Sequence, residues 1–143
     1  ILAGRRINDN MAQYIVTQII KNMIAADISP KSARVLILGL TFKENCPDLR
    51  NTKVVDIVSE LQDYGVSVDV HDPWVSAAEA SAEYGLDLVD EPEKGAYDVV
   101  VLAVVHRQFH ALGVEGVRSF GNGSSLVYDI KYVLPLGAAD DRL

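Results

Sequence analysis

A single cysteine, Cys46, stands in the 143 residues, which excludes an internal disulfide and with it a disulfide-stapled secreted scaffold. Long hydrophobic runs are missing too. The longest, VLILGL at 35–40 and DVVVLAVV at 98–105, fall well short of the ~18 residues a membrane-spanning helix needs. No charged-then-apolar leader is seen, so a reducing cytoplasm is the expected compartment, with no membrane partner. Cations are few: 13 Lys and Arg face 20 Asp and Glu, a net charge of −7. That balance disfavours general attraction to nucleic acid or an anionic surface, and an anionic ligand would need a local basic site. The three histidines, His71, His106 and His110, have no metal-ligand spacing with one another or with the cysteine, so no metal site is expected and all three read as structural or surface residues. No fixed-period repeat is visible, and the one small-residue tract, GNGSS at 121–125, reads as a turn. The first residue is Ile1, and the opening reads as the middle of something, so the chain is expected to be a fragment of a larger protein.

What remains is 49% apolar, enough for a sizeable single-domain core. Ile7, Met11, Ile15, Ile19 and Met23, with Tyr14, Ile20 and Ile24, recur at helical spacing, and Asn8 or Asp9 is available as a cap, which predicts an amphipathic helix over 9–26. The run 34–40 has the continuous apolar character of a strand buried on both faces. A helix follows over 51–64, with Val54, Val58 and Leu61 on one face and Gly65 as its stop. VSVDVHDP is a second strand closed by Pro73. Ser76 and Glu79 are spaced as a capping box for a short helix ending at Gly85. A third buried strand covers 97–105, an irregular helical connection 107–120 and a last strand 125–130. Strands alternating with helices predict a doubly wound, Rossmann-like α/β fold with a parallel sheet in three layers, preceded by one long helix.

Ligands of such sheets bind outside the carboxyl ends of the strands, where the winding reverses. The loop TFKENCPDLR leaves the first strand there. His71 and Asp72, His106 and Arg107, and Lys131 stand at the other strand ends, so an acidic chain gathers cations along one edge. They read either as ordinary solvated charges or as a site for an anion, most simply a phosphate ester. A dinucleotide is not expected at the first turn, because GLTFKEN lacks G-x-G-x-x-G and its backbone cannot approach a pyrophosphate closely. Asp72 occupies the place of a ribose-reading acid, by coincidence once the glycines are missing. A phosphorelay receiver is excluded, since it needs an aspartate where this sequence has VVHRQF.

GLTFKENCPDLRNT, the HDP after the second strand and YDIKYVLP after the last resemble the carboxyl-terminal UDP-sugar-binding domain of the UDP-glucose/GDP-mannose 6-dehydrogenase family. GRRINDNM is similar to the opening of that family's linking helix, and the likeness runs from Gly4 to about Leu136. Within the family it is nearest to the bacterial UDP-N-acetylhexosamine enzymes of surface polysaccharide synthesis. The resemblance implies a division into 1–28, a helix linking from a central dimerisation domain, and 29–143, the UDP-sugar-binding domain. It implies oxidation of a sugar C6 alcohol to a carboxylate with two NAD molecules reduced in turn through a cysteine thioester. The partners are then a UDP-sugar, the other domains of the same enzyme and further copies of it. NAD and the nucleophilic cysteine belong to segments other than this one, so no catalytic residue is expected here.

Carried over by position, Phe42 and Lys43 match the pair that contacts the UDP-sugar. Arg50 matches an arginine that reaches toward NAD, against the alternative of an ion pair with Asp48. Lys131 falls where UDP-glucose dehydrogenases carry arginine; it keeps the charge and loses the planar fork. Phe42 could equally be a core residue, and Asp48 a residue that shapes the loop. Cys46, flanked by Lys43 and Arg50, would make a stabilised thiolate on local chemistry alone, but the family's nucleophile lies elsewhere. Trp74 reads as packing over the sheet edge, and Arg5 and Arg6 as facing solvent or the rest of the parent. A noncatalytic interaction module with no nucleotide ligand is the alternative function.

Overall fold

The computed structural model describes residues 2–41, 45, 53–131, 134, 137 and 139–142, with backbone alone at 2–10, 124 and 142. Five strands form one parallel sheet in the order β2-β1-β3-β4-β5: β1 Arg34–Leu38, β2 Ser67–His71, β3 Tyr97–Leu102, β4 Gly121–Asp129 and β5 Asp141–Arg142. The helices are α1 Leu2–Ala25, α2 Val54–Asp63, α3 Ala77–Tyr84 and α4 Arg107–Arg118. This is the doubly wound, Rossmann-like architecture expected from the alternation of elements.

The three layers follow from alternation along the two central strands. Val35 and Ile37 of β1, with Val99 and Val101 of β3, face a core completed by Val54, Ile57, Val58 and Leu61 of α2 and by α1. Leu36 and Leu38, with Val100 and Leu102, face the opposite core under Phe109 and Val117 of α4. A strand covered on both sides must be apolar at every position, hence the unbroken runs. Each such side chain contributes about 1.5–3 kcal/mol relative to exposure.

Three expectations are corrected. Helix α1 begins at Leu2 rather than at a cap on Asn8 or Asp9; the preceding Leu, Ala, Arg and Ile are tolerant of helix, and Gly4 costs only about 1 kcal/mol, too little to end it. Its buried stripe is Ala12, Ile15, Val16, Ile19 and Met23, while Met11, Tyr14 and Ile24 are exposed. Apolar side chains lie on more than one side of this helix, so periodicity alone leaves its orientation open. The GNGSS tract is not a free turn but part of β4, where the one residue between Tyr97 and Val99 is matched by the four between Gly121 and Leu126. Small residues accommodate that bulge.

The short helix α3 forms as its sequence dictates. Ser76 Oγ accepts the Glu79 N–H at 3.1 Å, and Gly85 closes the helix at φ 66°. Ser76→Ala is expected to lower stability by about 1 kcal/mol, measured by urea unfolding; an unchanged midpoint would remove the cap from the account. Helix α4 is interrupted at Gly113, φ 65° and ψ −174°, the irregularity expected of that segment.

Candidate functional site

Register brings the strand ends level: Leu38 pairs with both His71 and Leu102, and Leu102 with Asp129. The ladder runs one bond further on each side, from Gly39 N–H to the His71 carbonyl at 2.9 Å, Ala103 to Leu38 at 3.0 Å and Ile130 to Leu102 at 3.0 Å. The order reverses between β1 and β3, so the crevice of a doubly wound sheet lies over these two ends.

Asp72 closes the floor of that region. Its Oδ2 accepts N–H groups from Leu40 at 2.7 Å and Thr41 at 3.1 Å, and from His106 Nε2 at 2.9 Å, while Oδ1 accepts the Trp74 N–H at 2.8 Å. Asp72 and His106 are both buried. Burial by itself pushes the Asp72 carboxyl up; the bonds from His106, Leu40 and Trp74 outweigh it and hold the group below its ordinary value of 3.8. A buried carboxylate with both oxygens bonded in this way is an organiser of three strand-end loops.

His106 carries the next link. Its Nδ1 accepts the Asn45 N–H at 2.8 Å, and Nε2 also lies 3.1 Å from Thr41 Oγ1. The ring packs against Phe109, 5.4 Å between centroids, and Trp74, 6.2 Å. Trp74 donates Nε1–H to Gln108 at 2.9 Å and carries the Arg107 guanidinium 4.9 Å from its ring centre. Trp74 is therefore a packing residue of this edge, as expected, with a cation laid on it.

The other carboxyl-edge residues divide by role. His71 bonds the Val89 carbonyl through Nδ1 at 2.8 Å and is structural; His110 is exposed. Asp129 is buried and accepts the Leu134 N–H at 2.9 Å, and Lys131 is exposed at the edge just after β4. Of the residues expected to touch ligand, Lys131 is thus at the carboxyl edge, while Phe42, Lys43 and Arg50, with Cys46 and Asp48, lie outside the described residues. Among the described residues no cluster of three or more His, Cys, Asp or Glu is placed to hold a metal.

Gly39 has φ 109°, but the space beside it is taken by Val104, whose Cβ would lie 2.6 Å from an added Cβ. The close approach that glycine permits here is chain against chain, between the exits of β1 and β3. The other displaced titration is remote: Tyr97, at the amino end of β3, is pushed up to about 12 by burial and by its 2.7 Å bond to Asp69.

The domain is doubly wound, and domains of that class bind their ligands at this switch point. Residues 36–135 match the model of the UDP-glucose/GDP-mannose dehydrogenase family, UDP binding domain, and the chain belongs to that family. It is 54% identical over 143 residues to the UDP-N-acetyl-D-glucosamine 6-dehydrogenase of Pseudomonas aeruginosa and 51% identical over 143 residues to that of Salmonella typhi, covering 100% of this chain and 34% of each relative. The chain therefore spans about a third of the length of the curated relatives it matches. Among solved structures it is similar to a UDP-glucose dehydrogenase from Pyrobaculum islandicum, with a TM-score of 0.73 and 26% identity, covering 96% of this chain and 30% of that one.

Proposed function

We propose that this chain is the nucleotide-sugar-binding part of an NAD-dependent UDP-N-acetylhexosamine 6-dehydrogenase, an enzyme that oxidises the C6 alcohol of the sugar to a uronate for bacterial surface polysaccharide. The observation that carries this reading is the meeting, at one sheet edge within the family-matched residues 36–135, of the switch point and the exposed cations Arg107 and Lys131. The hexosamine substrate class is supported by the two relatives above half identity, both UDP-N-acetyl-D-glucosamine enzymes.

In this reading residues 1–28 link from a central dimerisation domain and 29–143 form the UDP-sugar domain. Phe42, Lys43 and Lys131 contact the substrate and Arg50 reaches toward NAD. NAD itself is held by another domain of the parent enzyme. The remaining domains and further copies of the enzyme are the protein partners, and the compartment is the cytoplasm. No helix among the described residues is long and apolar enough to cross a membrane.

Titrating UDP into the 143-residue chain tests the proposal. Amide shifts are expected around Asn45, His106 and Lys131, and Lys131→Ala should weaken binding by roughly tenfold, the worth of one charge-assisted contact. A chain whose spectrum ignores millimolar UDP would instead be the noncatalytic interaction module.

A further inference from the structure

Asn45 lies between Lys43 and Arg50 in sequence and is one of two described non-glycine residues with positive φ, at 54°. An L residue persists there when its surroundings over-determine it. Two bonds do so. The Asn45 N–H donates to His106 Nδ1 at 2.8 Å, and Asn45 Oδ1 accepts the Arg107 N–H at 2.8 Å. The second bond caps α4 from a loop 62 residues away, where the helix's own N-cap residue, His106, makes no side-chain cap bond. Loop and helix start thus hold each other.

The clamp works in one tautomer. Nδ1 can accept only if the ring proton sits on Nε2, and Nε2 faces Asp72 Oδ2 at 2.9 Å, a carboxylate oxygen able only to accept. The order of command is then Asp72 to His106 to Asn45. His106 is fully buried, so it acts on the loop and not on a ligand.

We propose that His106 is a positioning residue of the nucleotide-sugar site: through Nδ1 it fixes Asn45 against the start of α4, where the exposed cation Arg107 stands. The proposal rests on the reading of this edge as a UDP site. The family match alone assigns no such role to a buried imidazole.

Two substitutions separate its nitrogens. The amide of His106→Asn places an oxygen near the Nδ1 position and can still accept from Asn45. The longer His106→Gln reaches the Nε2 position, satisfies Asp72 and leaves the Asn45 N–H without its acceptor. In the 143-residue chain, H106Q is expected to raise the UDP Kd and the hydrogen-exchange rate of the Asn45 amide roughly tenfold each, while H106N stays within about threefold of wild type. Equal exchange and equal Kd in the two variants, with UDP bound normally by wild type, overturn the positioning role alone. Unequal exchange with no UDP binding by wild type overturns the functional reading and the role with it. Should both buried variants fail to fold, wild type decides through the 15N shifts of His106 and the exchange of the Asn45 amide with and without UDP. An Nε2–H tautomer with an Asn45 amide protected further by saturating UDP supports the positioning role, and an Nδ1–H tautomer or an Asn45 amide that exchanges as fast as an unstructured chain overturns it.

Discussion

Asp72→Ala is expected to remove about 3 kcal/mol or more of folding stability, since each donor that loses a buried acceptor costs about 1–3 kcal/mol. Four donors lose their acceptor at once: the backbone N–H groups of Leu40, Thr41 and Trp74 and Nε2 of His106. Leu40 and Thr41 are buried, so water does not readily replace the carboxylate. Asp72→Asn should cost less, because one oxygen still accepts; its NH2 group must then face a backbone N–H, so the loss stays measurable. Urea unfolding followed by far-UV circular dichroism reads both. An alanine variant within about 1 kcal/mol of wild type would mean the network is ornamental.

The same carboxylate gives a pH dependence of definite sign. Its folded pKa lies below the ordinary 3.8 because the hydrogen bonds outweigh desolvation. The stability it contributes is therefore complete above that value and is lost as pH falls through the lower folded pKa. Wild type and Asp72→Asn should accordingly converge in stability at the acid end and diverge toward neutrality.

How far all this was legible in the sequence depends on distance along the chain. Strands β1 and β3 were readable because burial on both faces forces an unbroken apolar run, and α3 because Ser76, Glu79 and Gly85 signal locally. The two-residue β5 was missed, being too short for any pattern. The Asp72–Pro73–Trp74 sequence does carry a local signal, an aspartate whose oxygen accepts the N–H two residues on. Its wider role was hidden, since Asp72 and His106 are 34 residues apart and Asn45 and His106 61 apart. Long-range polar pairing leaves no periodicity. VVHRQF allows His106 to be structural or surface, and nothing in it tells that the buried imidazole grips Asn45 in the loop after β1. Cations at strand ends were visible; which carboxylate organised the floor beneath them was not.

Gly39→Ala is the second large expectation, a loss of roughly 2–6 kcal/mol from backbone strain of about 1–3 and overpacking of about 1–3 kcal/mol. At φ 109° an L side chain is strained whatever the space, and here there is none: an added Cβ meets Val104 Cβ at 2.6 Å, its Cγ2 at 2.8 Å and its backbone N at 2.8 Å. A side-chain rotation could clear Cγ2 but not Cβ or N, so the exits of β1 and β3 must move apart. That separation would act at the switch point itself. Leu40 and Thr41 follow Gly39 directly, and their N–H groups reach Asp72 only if β1 leaves the sheet along its present path. The variant should therefore lose UDP affinity as well as stability, with the amides of Leu40 and Thr41 exchanging faster than those of β2. Combining it with Val104→Gly, which removes the Cβ contact and leaves the backbone one, should cost less than the sum of the two single changes. Strict additivity would place the role of Gly39 in its own φ alone and not in the packing of the two strand exits.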